Sequence, residues 1–127
     1  MADNTFKIEI NFDSEEAYYM QIRNQVITQI AYGQLKKGES LPSVRQLAEE
    51  IGINMHTVNK AYSLLRQEGY VKIDRRRGAM VDIEYDQKAD LQELSEELNL
   101  LVAKARCKGI SKDMLHQMVD EHYAKGN

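Results

Sequence analysis

Three observations predict a mainly α-helical fold with a small β wing. Two short amphipathic segments within residues 44–65 are joined by a tight turn that contains Gly52, which is the layout of a helix-turn-helix. Two β-prone runs follow directly and flank the charged loop of residues 74–78, as in a wing hairpin. Two further amphipathic segments end the chain. We therefore expect a winged helix-turn-helix domain over residues 1–84 and a C-terminal two-helix dimerisation hairpin over residues 85–127.

Length and composition exclude several classes of protein. The chain has 127 residues and one cysteine, Cys107, so it has neither a disulfide framework nor a cysteine-rich zinc site, and it suits a reducing cytoplasm. No apolar run approaches the roughly 20 residues of a membrane-spanning helix. The chain is also too short for an enzyme with a large built-in cofactor domain, and no catalytic constellation or phosphate-binding glycine loop is evident.

The net charge of −3 is unevenly distributed along the chain. Residues 34–81 carry nine basic and five acidic groups, whereas residues 1–33 and residues 82–127 are both acidic. A basic middle between acidic flanks indicates a surface that meets a polyanion, although a solvated charged face gives the same pattern.

The first part of the chain predicts a strand-like segment followed by a helix. Residues 6–12 alternate apolar and polar side chains, which is the period of a half-buried strand. Asp13 and Ser14 are candidate caps for a helix of about five turns that ends at Gly33. A polar connection over residues 34–41 leads to the helix-turn-helix.

Candidate caps also delimit the two helices of the helix-turn-helix. Pro42 prevents the first helix from continuing, and Ser43 can cap the second one. Asn54 can cap the third helix, whose inward face is predicted to carry Val58, Ala61, Tyr62 and Leu65. The outward face of that helix then presents His56, Asn59, Lys60 and Ser63.

The tail predicts two helices that need a partner surface. A narrow apolar stripe recurs at helical spacing from Leu91 to Ala105, and a second one follows Gly109. A helical hairpin of about 40 residues does not bury two such stripes by itself. We expect a second copy of the chain to cover them, through Leu91, Leu94, Leu98, Leu101, Val102, Met114, Leu115 and Met118.

Residues 19–81 resemble the N-terminal winged-helix domain of the GntR family of bacterial transcription regulators. The residues that carry this resemblance are Gln21-Ile22, residues 41–48, residues 52–62, Leu65, Glu68-Gly69-Tyr70 and residues 78–81. The total length, the strand-like start and the short helical tail are similar to the YtrA subfamily, which lacks the larger effector-binding domains of its relatives.

The resemblance implies a cytoplasmic, homodimeric regulator that binds an inverted-repeat operator in double-stranded DNA. It further implies repression of an operon, with transporter genes as candidate targets, and no enzymatic activity or cofactor. An unidentified small-molecule effector would have to bind between subunits or against the winged helix. A winged-helix module that binds proteins and not DNA is the alternative.

DNA recognition requires cations for phosphates and short polar side chains for base edges. The N-terminal turn of the third helix enters the major groove in helix-turn-helix proteins, so His56, Thr57 and Asn59 are the predicted base readers, with the Thr57 methyl group a candidate contact for thymine. The resemblance adds Arg45 as a base or phosphate contact and Ser43 as a phosphate contact. The full predicted DNA-binding set is Ser43, Arg45, Asn54, His56, Thr57, Asn59, Lys60, Arg75, Arg76, Arg77 and Gly78. A simple cap is the alternative role for Asn54, and a solvated loop is the alternative for the three arginines.

The sequence departs from the family pattern in the third helix and in the wing. The family commonly has arginine where this chain has Met55, and the wing keeps only Gly78 of the usual Gly-x-Gly, so the family's operator sequences do not carry over.

In the tail, His116 and Asp120 share a helix face, but His122 points elsewhere, so we expect no metal site there.

Overall fold

The computed structural model of the protein describes residues 6–125, so the ends of the two predicted domains, residues 1–5 and 126–127, lie outside the described residues. The elements within it are α1 (Tyr18–Ala31), α2 (Val44–Ile51), α3 (Met55–Gln67), β1 (Val71–Asp74), β2 (Gly78–Val81), α4 (Gln87–Cys107) and α5 (Lys112–Ala124). The predicted fold class is confirmed. No helix in the described part of the chain is long and apolar enough to cross a membrane.

The elements divide into two compact units, with the division between Glu84 and Tyr85. In the first unit, α1, α2, α3 and the hairpin surround one core, whose most deeply buried side chains are Ile22, Val26, Leu47, Val58, Leu65, Val71 and Val81. The inward face of α3 is the predicted one, because Val58, Ala61, Tyr62 and Leu65 are all buried.

Polar caps begin α2 and α3 where the sequence predicts them. Ser43 Oγ accepts a hydrogen bond from the Gln46 N–H at 3.0 Å, and Asn54 Oδ1 accepts one from the His56 N–H at 2.7 Å. Gly52 ends α2 with φ of 72°, a left-handed conformation that a side chain would disfavour. The tight turn between the two helices is therefore set by local chemistry.

α1 begins later than predicted. It starts at Tyr18 without a side-chain cap, and the Ser14 hydroxyl instead accepts a hydrogen bond from the Glu16 N–H at 3.1 Å, in a turn before the helix. The predicted caps Asp13 and Ser14 are thus wrong, because a local serine turn competes with helix initiation at this point. α1 has 14 residues, or about four turns, where five were predicted.

Residues 6–11 keep the predicted alternation, with Ile8 buried between exposed neighbours, but Phe12 is exposed, and no strand pairs with this segment among the described residues. Three glutamines of α1 bind this segment instead: Gln21 pairs with the backbone of Asn11, Gln25 with that of Glu9 and Gln29 with that of Lys7. Four helical residues rise about 6 Å and two extended residues about 6.6 Å, so the two periods match. We call Gln21, Gln25 and Gln29 the glutamine ladder.

β1 and β2 form an antiparallel hairpin in which Asp74 pairs with Gly78. The predicted polar connection before α2 ends in extended backbone that pairs with the other edge of β2. There the Leu41 N–H donates to the Ala79 carbonyl at 2.8 Å, and the Val81 N–H donates to the Glu39 carbonyl at 2.9 Å. The wing is therefore anchored to the chain that leads into α2.

The second unit consists of α4 and α5. Asp86 accepts a hydrogen bond from the Ala89 N–H, and Asp90 accepts one from the Asp86 N–H, which together form a reciprocal cap for α4. Ser111 Oγ accepts a hydrogen bond from the Met114 N–H and caps α5. Ala105 is the one buried residue of α4, and no described residue of α5 is buried.

Candidate nucleic-acid interface

The N-terminal turn of α3 lies on the protein surface. Met55, His56 and Asn59 are exposed, whereas Val58 between them is fully buried and fixes the rotation of the helix. The oxygen of the Asn54 side chain is engaged with the His56 N–H, which is the cap role that the sequence left as an alternative. The turn therefore presents polar side chains from a helix end that is held rigidly.

An open groove runs between the N-terminus of α2, the exposed face of α3 and the hairpin, and we call it the wing groove. Its polar and charged lining consists of Ser43, Asn59, Ser63, Arg66, Arg76 and Arg77. Five of the residues that border it belong to the predicted DNA-binding set, namely Ser43, Asn59, Arg76, Arg77 and Gly78. Packing has thus brought residues from three elements to one concave surface.

A buried tyrosine supports the floor of the wing groove. The Tyr62 hydroxyl donates a hydrogen bond to the Pro42 carbonyl at 2.7 Å and so ties α3 to the residue that precedes α2. Burial raises the pKa of the Tyr62 phenol far above its ordinary value, and the nearby Glu50 raises it further. The phenol therefore stays protonated and acts as a structural donor.

The tip of the wing has a defined backbone. Asp74 Oδ1 accepts hydrogen bonds from the N–H groups of Arg76 at 2.7 Å and Arg77 at 3.1 Å, and these bonds hold the pKa of the Asp74 carboxyl below its usual value. Gly78 closes the loop with φ of 72°. Gly78 contributes to the site through this backbone conformation. The side chains of Arg75, Arg76 and Arg77 are exposed.

Two smaller concavities meet at Met55. Arg45 is exposed in the first turn of α2 and lines a concavity at the turn between α2 and α3, together with Met55. Met55 also borders a second concavity, whose lining includes His56 and Asn59. Arg45 thus lies beside the leading turn of α3, and it does not line the wing groove.

Two predicted DNA-binding residues lie on the flanks of α3. The Lys60 ammonium is 4.0 Å from the centre of the Tyr19 ring in α1, a distance at which a cation–π interaction forms. Thr57 is half-buried and is rotated by about 200° from Asn59 around the helix. Neither residue borders the wing groove.

Arg66 is a residue of this surface that sequence reasoning missed. It is exposed near the end of α3 and lines the wing groove with Arg76 and Arg77. Its position seven residues after Asn59 places it on the same helix face, and this spacing is the signal that could have found it.

The histidines, cysteine and carboxylates offer no metal site in residues 6–125, because no three of them lie close enough together to hold an ion. This holds for Cys107, His116, Asp120 and His122 of the tail as well.

Comparison with known proteins places this surface in a family. Residues 18–81 match the family of bacterial regulatory proteins described as the gntR family. The HTH-type transcriptional repressor YtrA of Bacillus subtilis is 35% identical over 119 residues, which cover 90% of this chain and 90% of YtrA.

Two solved structures are similar to most of the chain. A transcriptional antiterminator from Listeria monocytogenes has a TM-score of 0.81 at 27% identity and covers 94% of this chain and 91% of its own. YtrA from Sulfolobus acidocaldarius, a GntR-family transcription factor, has a TM-score of 0.65 at 37% identity and covers 79% of this chain and 97% of its own. The family and the two YtrA proteins are transcription regulators and not enzymes, as the sequence predicts for this chain. The chain belongs to the GntR family of bacterial transcription regulators.

Proposed function

We propose that the protein is a sequence-specific DNA-binding repressor that acts in the cytoplasm as a homodimer on an inverted-repeat operator. The observation that carries this proposal is that the exposed face of α3 and the arginine tip of the wing border the same groove. A transcription regulator needs both a reader of base edges and a set of phosphate contacts, and one concave surface offers the two together. Operons with transporter genes are the proposed targets, in keeping with the YtrA resemblance.

The leading turn of α3 is the proposed reader. A helix of about 10–12 Å diameter fits the major groove, which is about 12 Å wide. Asn59 can bond adenine through both the oxygen and the nitrogen of its side-chain amide, and His56 can donate to or accept from a base edge. Arg45, which lies beside this turn, can reach a guanine edge or a phosphate. Thr57 stays in the proposed set as a contact at the flank of the helix.

The proposed phosphate contacts surround the reader. Ser43 lies at the N-terminus of α2, where the helix dipole favours an anion, and Arg75, Arg76 and Arg77 extend from the tip of the wing. We add Arg66 to this set because it lines the same groove. Lys60 contributes to it as a nearby positive charge, held over Tyr19.

The second unit is the proposed dimerisation element. The apolar side chains of its predicted seam are exposed to water: Leu91 by 51%, Leu94 by 60%, Leu98 by 54%, Leu101 by 49%, Met114 by 53% and Met118 by 43%. Val102 and Leu115 are half-buried. A second copy related by a two-fold axis presents the same stripes and removes them from water. Two subunits then bind two half-sites, and a small-molecule effector would act by changing their spacing.

The experiment that tests this function is selection of bound genomic fragments by the purified full chain, followed by footprinting. We expect an enriched inverted repeat with two protected half-sites, and an affinity that falls steeply with salt as counterions are released from the DNA. Retention of no fragment, or of fragments without a common sequence, would contradict the proposal and favour the protein-binding alternative.

A matched pair of variants tests the role of the wing. Replacing Arg76 and Arg77 by alanine removes two positive charges from the wing groove, and replacing Lys36 and Lys37 removes two from the connection before α2. We expect the first variant to weaken binding and to reduce the slope of log K against log salt by about two. The second variant should retain the wild-type slope, and equal losses in both would mean that only net charge matters.

A further inference from the structure

The leading turn of α3 contains one exposed apolar side chain. Met55 is the first residue of the helix and is 44% exposed. It borders both the concavity of Arg45 and that of His56 and Asn59, so it lies at the centre of the proposed reading surface. A surface that recognised bases through hydrogen bonds alone would not require an exposed apolar side chain at this position.

The chemistry of the major groove limits what such a side chain can recognise. The base edges there present hydrogen-bond donors and acceptors and one apolar group, which is the 5-methyl group of thymine. We propose that Met55 contacts this methyl group and that each half-site of the operator therefore has a thymine opposite Met55. The thioether side chain is flexible and polarisable, which suits contact with a methyl group. This inference rests on the proposed function and adds a base identity to it.

Rotation around α3 favours Met55 over Thr57 for this contact. Residues four apart differ by about 40° around a helix, so Met55 and Asn59 share a face. Thr57, whose methyl group the sequence offered as a thymine contact, is half-buried and about 200° from Met55. A base read by Asn59 therefore has Met55 beside it, and the neighbouring base pair is the expected position of the thymine.

Deoxyuridine provides the test, because it lacks the methyl group of thymidine and keeps every hydrogen-bonding group of the base. In the operator recovered by fragment selection, each thymidine is replaced in turn and the dissociation constant is measured at one salt concentration. We expect one position in each half-site at which the loss of the methyl group weakens wild-type binding by about fourfold, the ratio that corresponds to one buried methyl-sized group.

Three variants assign that effect to a side chain. Met55→Gln keeps the length of the side chain but ends in an amide, and it should remove the sensitivity to deoxyuridine. Met55→Leu stays apolar and should retain it, and so should Thr57→Ser, which lacks the Thr57 methyl group. Thermal melts of all three variants verify that they fold.

The outcomes separate this inference from the proposed function. Specific binding without a deoxyuridine-sensitive position would overturn the role of Met55 and leave the repressor intact. Sensitivity that persists in Met55→Gln, or that disappears in Thr57→Ser, would also overturn it. A wild-type protein that selects no DNA sequence would overturn both.

Discussion

Asp74 orders the backbone of the wing tip, although its negative charge repels the phosphates of DNA. Its carboxylate accepts two backbone hydrogen bonds from the arginine loop, and this stabilises the charged form of the side chain. Because the folded pKa is the lower one, the contribution of Asp74 is present above its unfolded pKa of about 3.9 and is lost as the pH falls through the folded value. At neutral pH the loop is ordered at the cost of one negative charge among three arginines.

Two substitutions at this position separate loop order from charge. Asp74→Asn and Asp74→Ala remove the same negative charge, but asparagine keeps a side-chain oxygen that accepts the Arg76 and Arg77 N–H groups. Because alanine removes the acceptor that orders the loop, we expect Asp74→Ala to bind operator DNA roughly 2- to 10-fold more weakly than Asp74→Asn. Fluorescence anisotropy at fixed salt measures both, and equal affinities would show that tip order is unimportant.

At the scale of single residues, sequence predicted what depends on neighbours along the chain. Ser43 and Asn54 are caps because each side chain reaches a backbone N–H two or three residues away. Lys60 makes a contact that could not be predicted in this way. Its position on the outward face of α3 was predicted, but its contact with Tyr19 depends on how α1 packs against α3.

At the scale of elements, the glutamine ladder joins an extended segment to α1 without a second strand. Gln21 makes three hydrogen bonds, since it accepts from the Asn11 N–H at 2.8 Å and donates to the carbonyls of Asn11 at 3.1 Å and Glu16 at 2.9 Å. It is a buried polar residue, so its hydrogen bonds are not exchanged for bonds to bulk water.

We expect Gln21→Ala to lower the free energy of unfolding by about 1–3 kcal/mol, because it leaves the Asn11 N–H without its partner and removes the hydrogen bonds to the carbonyls of Asn11 and Glu16. Gln46→Ala is the matched control, since Gln46 is exposed on α2 and its substitution should change stability by less than about 0.5 kcal/mol. Urea unfolding at one protein concentration compares the two. A loss for Gln21→Ala as small as that of the control would mean that the segment is held by its apolar side chains.

The ladder also shows why one element was predicted only in part. The alternation of residues 6–12 predicted a half-buried extended segment, and Ile8 is indeed buried. The identity of its partner is a tertiary property, because glutamines at four-residue spacing on a helix are equally typical of a solvated face. The pairing of the connection before α2 with β2 was missed for the same reason.

At the scale of the whole molecule, the sequence proposed residues for the candidate site but not the surface on which they meet. The wing groove joins Ser43, Asn59 and Arg76, which are far apart in sequence and meet only after packing. Local motifs in the sequence predicted these three residues. Arg66 was not predicted, and it lines the groove because α3 packs near the wing. The apolar stripes of the second unit, by contrast, were predicted from helical spacing, and their side chains are exposed in the structure.

Those faces allow a sharp test of the proposed dimer. Leu98 is 54% exposed and Leu100 is 58% exposed, but they lie about 200° apart around α4, and only Leu98 belongs to the predicted seam. Leu98→Glu places a charge in each copy of the seam, and we expect it to yield a monomer in analytical ultracentrifugation at concentrations where the wild type is a dimer. Leu100→Glu introduces the same charge on the opposite face and should leave the dimer intact.

The same two variants test whether dimerisation strengthens DNA binding. A dimer holds its second DNA-binding unit near the second half-site, and such linkage raises affinity by about 10²- to 10⁴-fold. The Leu98→Glu variant should therefore lose about that factor on the full operator and bind a single half-site as the wild type does, whereas Leu100→Glu should match the wild type on both. If Leu98→Glu dissociates the dimer without weakening operator binding, one subunit is sufficient for recognition and the inverted repeat has no structural basis in this protein.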